Sequence, residues 1–187
     1  MPLWAKWLPE LALGYRVTSP DDADLDAFDA GKSTEAREVT HYFKSRQWFD
    51  IAKSVARPPT YQFGTANDIV GYVATAFANK PHPREDSEAR ARYLVMYVLG
   101  IHRRFQGQQH AESGERYSTT ILRALETDFA PKKSACVGIY LRVRTTNTPA
   151  IHFYERMGFS ADPNLVGGTP DEAPQLVMRK LFPKPTP

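Results

Sequence analysis

The sequence predicts a mixed α/β fold, a single domain in which helices flank a mixed sheet. Three observations carry this. The stretch Tyr93 to Gly100, YLVMYVLG, is an almost unbroken apolar run, the pattern of a strand buried on both faces. From His102 the chain breaks into a loop rich in Arg, Gln and Gly, and then takes up helical periodicity over 114–129. The same step recurs downstream, where the apolar run Ala135 to Val143 is followed by a short helical segment, Thr148 to Arg156. Strands that feed helices, with further strands on either side, are the α/β pattern.

The remaining elements come in order along the chain. Residues 1–12 hold two tryptophans and two prolines and read as a lead that packs on the body. Leu13 to Val17 is a first strand. Ser19, Pro20, Asp21 and Asp22 form a turn and helix start, since Ser or Asp caps and Pro suits the first helical position. A short helix over Asp21 to Phe28 comes next. Ser33, with Glu35 and Glu38 behind it, opens a long helix that reaches about Ala56, with a bend or division in its middle. Arg57, Pro58 and Pro59 end it. Thr60 to Phe63 and Ile69 to Ala78 flank a polar turn and read as an antiparallel hairpin. Asn79 to Glu88 is a proline-bearing surface loop. In the helix after the central strand, Tyr117, Ile121, Leu125 and Phe129 fall at intervals of four, a stripe for a core, and Pro131 with two lysines closes it. Gly158 stops the next helix. Phe159 to Val166 and Gln175 to Phe182 are the last strands, and 183–187 is a loose tail.

Composition narrows the class. The chain has 187 residues, 42% hydrophobic and 12% aromatic, enough for a sizeable core in one domain. The net charge of +3 and a pI of about 9.0 fit an anionic ligand without a polybasic tail. The single cysteine, Cys136, excludes an intrachain disulfide and a cysteine-based zinc cluster, and its apolar setting reads as a strand residue. His41, His82, His102, His110 and His152 have no metal-ligand spacing, so no metal is expected. No apolar run approaches the roughly 18 residues of a membrane span. The N-terminus, charged at Lys6 and Glu10, is a poor signal peptide. The expected compartment is the cytoplasm.

Strand, Gly-bearing loop and helix start together present free backbone N–H groups, a setting for phosphate. Two motifs sharpen this. The first is Arg104, Phe105, Gln106, Gly107, Gln108, Gln109 after the central strand. The second is Asn147, Thr148, Pro149, Ala150, Ile151, His152, Phe153, Tyr154, then Gly158 and Phe159, after a strand containing Leu141, Arg142 and Val143. Together they resemble the GNAT superfamily of acyl-CoA-dependent N-acetyltransferases. That family has Arg/Gln-x-x-Gly-x-Gly/Ala before one helix and Asn-x-x-Ala-x-x-Phe-Tyr-x-x-x-Gly-Phe over the next. The resemblance covers about residues 93–159, and the second motif is the more specific. Gln109 stands where the family has a small residue.

The resemblance implies a single GNAT-like domain over 1–187, with 1–12 and 183–187 peripheral, and a central sheet in which two parallel strands splay apart. It implies acetyl-CoA as co-substrate. Amides of the loop, with Arg104, Gln106, Gly107, Gln108 and Gln109, would cradle the pyrophosphate. Backbone at Leu99 and Ile101 would pair with the pantetheine arm, and Asn147 would contact that arm. Tyr154 would stand near the thioester sulfur as proton donor. A backbone N–H near Leu99 would hold the oxyanion. The central strand lacks the carboxylate that often serves as base, so proton removal falls to water, to Glu85 or Glu88, or the amine arrives neutral. The implied acceptor groove runs through residues 25–50, 60–80 and 162–175, where Asp26, Asp29, Glu35 and Glu38 offer negative charge.

The reaction expected is transfer of an acetyl group to a primary amine of a small molecule or peptide. Two alternatives stand beside it. One is an acetyltransferase toxin acting on aminoacyl-tRNA, in which tRNA is the one nucleic-acid partner. The other is a non-catalytic acyl-CoA-binding module of the same fold. No membrane partner is expected, and the oligomeric state, a homodimer included, is left open.

Overall fold

The computed structural model describes residues 4–81, 90–130, 135–167 and 173–183. By their contacts these residues form two compact units, one of residues 1–75 with 97–125, the other of 76–96 with 126–187.

The first unit begins with β1 (Lys6–Leu8) and β2 (Leu13–Val17), then α1 (Asp24–Ala27), α2 (Thr34–Lys44), the two-residue strands β3 (Phe49–Asp50) and β4 (Val55–Ala56), and β5 (Thr60–Gly64). The long strands β6 (Ile69–Pro81) and β7 (Arg90–Ile101) belong to both units, and α3 (Tyr117–Ala124) completes the first. β1 pairs with β2, β2 with β5 and β5 with β6, all antiparallel. The N-terminal lead is thus an edge strand. Trp4 fastens it, because its indole N–H donates to the Thr65 carbonyl at 2.9 Å and its ring lies over Gly14 and Gly64.

α2 starts where expected, with Ser33 Oγ accepting the Ala36 N–H at 3.1 Å. Ser33→Ala should lower stability by about 1 kcal/mol, measurable by urea unfolding, because that N–H then loses its partner. The helix ends at Lys44, far short of Ala56. Arg46 turns into the left-handed region (φ 56°), where its guanidinium donates to the Pro20 carbonyl at 3.0 Å and to Asp26 at 2.9 Å. The reversal lets Trp48 enter the core, where its N–H donates to the Phe43 carbonyl at 3.3 Å. A fully buried indole outweighs the helical propensity of the residues around it. Residues 49–56 then form the β3–β4 hairpin. Leu25, Phe28, Phe43, Trp48 and Tyr72 make one apolar cluster, with Val39 and Val98 against it. Gly100 of β7 faces this cluster, and a Cβ there would lie 2.6 Å from Val39 and 2.9 Å from both Phe28 and Phe43.

α3 is shorter than its sequence pattern. It runs from Tyr117, and a π turn, Leu125–Phe129, comes after it. Tyr117, Ile121 and Leu125 are buried as the stripe requires. Pro131 and the lysines expected to close it lie outside the described residues.

The second unit holds the N-terminal part of β7, then β8 (Cys136–Arg144), α4 (Thr148–Arg156), β9 (Ser160–Gly167) and β10 (Gln175–Leu181). β7 and β8 run parallel, while β10 lies antiparallel between β8 and β9. The parallel ladder runs from Arg92↔Cys136 to Met96↔Leu141, and both strands continue past its last rung. Tyr93, Val95, Tyr140 and Val177 form a buried cluster. Gly158, at φ 85°, ends α4 in the left-handed conformation that glycine adopts without strain. The sheet is therefore mixed, with helices beside it, as the sequence predicts. The helix expected over 33–56 and the loop expected from Asn79 are the main differences, since β6 extends to Pro81. The rest of that loop lies outside the described residues. No helix among the described residues is long and apolar enough to cross a membrane.

Candidate functional site

In the first unit the loop after β7 opens with a tight turn, Arg103–Phe105. His102 Nδ1 accepts the Arg104 N–H at 3.3 Å, and the His102 carbonyl accepts the Phe105 N–H at 2.8 Å. The N–H groups of Gln106 and Gln108 bond to the carbonyls of Arg103 and Phe105, at 3.3 and 3.2 Å. Four of the amides expected to face phosphate are thus spent inside the loop. The Gln106 side chain is turned inward as well. Its Nε2 donates to the carbonyls of Ala30 at 2.6 Å and Ile101 at 3.0 Å. With the Arg103 N–H on the Asp29 carbonyl at 2.7 Å, this ties the segment after α1 to the end of β7. Arg103 pairs with Asp29 at 3.3 Å and Arg104 with Asp68.

Beyond Gln108 the chain makes a closed excursion. Gln109 and Arg116 face each other across a single antiparallel rung. The His110 N–H bonds to the Glu115 carbonyl at 2.6 Å, and the Tyr117 N–H to the Gln108 carbonyl at 3.4 Å. In such a rung the N–H groups of the facing residues point outward. His110 is buried. One ring nitrogen donates to the Ala12 carbonyl at 3.1 Å, and the other accepts the Glu112 N–H at 3.2 Å. The neighbour of the helix start in space is therefore Arg116.

A pyrophosphate needs donors, and the loop retains them. The N–H groups of Gly107, Gln109, Ser118 and Thr119 have no acceptor among the described residues, and α3 has no side-chain cap. Gly107 has a φ of 72° and open space beside its Cα, so a ligand can approach its backbone. Arg116 is exposed and forms no ion pair among the described residues. These donors fit a phosphate group at the positive end of a helix. Ser118, Thr119 and Arg116 were not legible as site residues, because the periodicity places the helix start at Gly114. Leu99 and Ile101 are half-buried on β7, and Gln109 and Gln108 are exposed.

In the second unit Asn147 caps α4, its Oδ1 accepting the Ala150 N–H at 3.3 Å. Only its amide N–H₂ stays available for a ligand. Tyr154 lies about two helical turns further along. It is 9% exposed, and its ring contacts Phe153 and Phe159, with centroids 5.2 and 5.5 Å away. Burial pushes its phenol well above the ordinary tyrosine value, so the group is protonated at neutral pH. No described residue hydrogen-bonds its hydroxyl.

Of the acidic residues in the implied groove, Asp26 pairs with Arg46 and Asp29 with Arg103. Glu85, Glu88 and residues 168–172 lie outside the described residues, as does His82. No group of three or more metal-ligating side chains occurs among the described residues.

The acetyltransferase (GNAT) family model matches residues 23–159. Among solved structures, a bacterial toxin shares 14% identity over 90% of each chain, with a TM-score of 0.59. The toxin AtaT complexed with acetyl-methionyl-tRNAfMet shares 20% identity over 91% of this chain and 94% of its own, with a TM-score of 0.54. NAA60 of Arabidopsis thaliana, in complex with acetyl-CoA, shares 15% over 91% and 99%, with a TM-score of 0.53. Identities at this level speak to fold. No curated protein sequence matches the chain.

Proposed function

This chain belongs to the acetyltransferase (GNAT) family, and we propose that it moves an acetyl group from acetyl-CoA to a primary amine by direct attack. The observation that supports this most is the match of the family model across both motifs, 23–159. Acetyl-CoA supplies the activated thioester. The amine nitrogen bonds to the carbonyl carbon, the carbon–sulfur bond breaks, and the amine sheds its extra proton to water. Tyr154 holds the proton that the departing thiolate needs, and burial keeps it there. The free N–H groups of Gly107, Gln109, Ser118 and Thr119, with Arg104 and Arg116, hold the pyrophosphate. Gln106 positions the loop from behind rather than touching the co-substrate, while Leu99, Ile101 and the Asn147 amide serve the pantetheine arm.

The test is a melting curve at rising acetyl-CoA. Binding to the folded state raises Tm as ligand increases. Arg104→Ala and Arg116→Ala should each weaken the affinity by about tenfold, the size of a lost charge-assisted bond. No shift at millimolar acetyl-CoA or CoA would sink the reading.

The second reading, an acceptor carried on tRNA, is favoured by a cationic cluster in the second unit. Lys80 lies over the Tyr140 ring, 5.3 Å from its centroid, and feels the charges of Arg142 and Arg90. Burial holds its ammonium below the ordinary lysine value, and the two arginines add to this. Such a cluster suits a polyanion. Acetylation of an aminoacyl-tRNA that falls steeply with added salt, beside weak turnover of free peptides, would select this acceptor.

A further inference from the structure

Both arginines of the loop after β7 are engaged with carboxylates of the first unit. Arg103 pairs with Asp29 at 3.3 Å, and its N–H is held by the Asp29 carbonyl at 2.7 Å, so its backbone and side chain are anchored together. Arg104 is anchored at the backbone alone, through His102 Nδ1, and its side chain is 54% exposed and paired with Asp68 of the β5–β6 turn. The two ends of that pair differ in freedom. The Thr65 N–H donates to the Asp68 carbonyl at 2.9 Å, the Asp68 N–H donates to Thr65 Oγ1 at 3.2 Å, and the Trp4 indole N–H holds the Thr65 carbonyl at 2.9 Å. Asp68 is therefore fixed by its turn. Arg104 swings on a long side chain, and with Asp68 and His102 it lines a cavity of about 650 Å³, so its guanidinium can leave without displacing packed atoms. The guanidinium lies over the Phe105 ring, 4.5 Å from the centroid, and that ring meets the ring of Tyr117, the first residue of α3, at 5.0 Å. It thus stands beside both Asp68 and the helix start whose Ser118 and Thr119 N–H groups are free.

We propose that Asp68 is an internal competitor of the co-substrate: its carboxylate occupies Arg104 in the free protein, and on binding Arg104 exchanges that carboxylate for the pyrophosphate. The proposal rests on the acetyl-CoA reading above and names what sets the affinity of that site. A guanidinium offers five N–H donors in a planar fork that suits either anion. The exchange needs no backbone movement, since the amides of Arg104, Phe105, Gln106 and Gln108 stay bonded within the loop. Asp68 remains where its turn holds it and loses its partner, so each binding event gives up one ion pair. A binding-competent form that is only partly populated lowers the apparent affinity in proportion. Asp68 is a positioning residue, acting on the co-substrate through Arg104.

The test measures acetyl-CoA affinity by calorimetry at low ionic strength, where an exposed pair is least screened. It uses the full chain as parent, Asp68→Asn, Arg104→Gln and the double variant. Asp68→Asn is expected to bind about two- to fivefold tighter than the parent, the size of a partly exposed ion pair. In the Arg104→Gln background the same change should do nothing, because no guanidinium is left to release. Arginine ¹⁵Nε spectra add an independent signature. One signal, which Arg104→Lys removes, should shift in Asp68→Asn and should shift in the parent when acetyl-CoA is added. An affinity equal in parent and Asp68→Asn would overturn the exchange and leave the acetyl-transfer reading standing. So would equal tightening in both backgrounds, the mark of a long-range charge effect. No acetyl-CoA binding by the parent or by Asp68→Asn would overturn both readings together. Binding found in Asp68→Asn and not in the parent would support the exchange in its strongest form.

Discussion

Tyr154→Phe is expected to lower kcat by about 10²–10⁴-fold, the range of a lost general acid, with KM for acetyl-CoA and Tm nearly unchanged. The reason lies in what the hydroxyl does not do. No described residue bonds to it, so its removal strands no partner in the fold. The ring contacts with Phe153 and Phe159 persist in the variant. Under the proposed reaction the one thing lost is a proton held for the thiolate. The direction of the pKa shift adds a pH signature. A proton donor works while protonated, and burial raises this phenol above the ordinary value of about 10. Activity limited by Tyr154 should therefore persist through the pH at which an exposed tyrosine ionises. Stopped-flow assays of thiol release across that range check both points. Full activity in Tyr154→Phe would assign protonation of the thiolate to water.

Arg179→Ala is expected to cost about 3–5 kcal/mol in urea unfolding, the size of a broken buried ion pair. Arg179 is 4% exposed on β10. Its guanidinium pairs with Asp162 of β9 and donates to the Pro81 carbonyl of β6 at 2.7 Å. Removing it takes the guanidinium away from a carboxylate and a carbonyl that are both partly buried. The double variant Arg179→Met with Asp162→Leu should recover much of the loss, because it removes both charges rather than stranding one. If the single variant lost less than about 1 kcal/mol, the pair would be behaving as a solvated one.

Much of the fold was legible because its signals are local. The apolar runs of β7 and β8 mark them as strands, although burial on both faces holds for Tyr93–Met96 and not for the exposed Tyr97, and Asn147, Pro149 and Gly158 punctuate α4 by capping chemistry alone. The failures came where distant residues decide. α2 stops at Lys44 because Arg46 finds acceptors at Pro20 and Asp26, 26 and 20 residues earlier in the chain. β1 forms because Trp4 finds the Thr65 carbonyl. The candidate site divides in the same way. Tyr154 and Asn147 lie in a compact motif. The inward turn of Gln106 depends on Ala30, and the exposure of the Ser118 and Thr119 amides depends on where the helix begins, which a rung from Gln109 to Arg116 sets.

That rung also separates two properties that usually travel together, chain length and placement. Residues 110–115 leave and return through one gate, so their number can drift without moving the loop amides on one side or α3 on the other. His110 and Glu115 are the exceptions, since His110 reaches back to Ala12 and Glu115 pairs with Arg123 of α3 at 2.7 Å. The excursion therefore behaves as a spacer that is free in length and constrained at its two ends. Trimming it while keeping both ends should be silent for the co-substrate, whereas losing the histidine should loosen the edge of the sheet at β1 and β2.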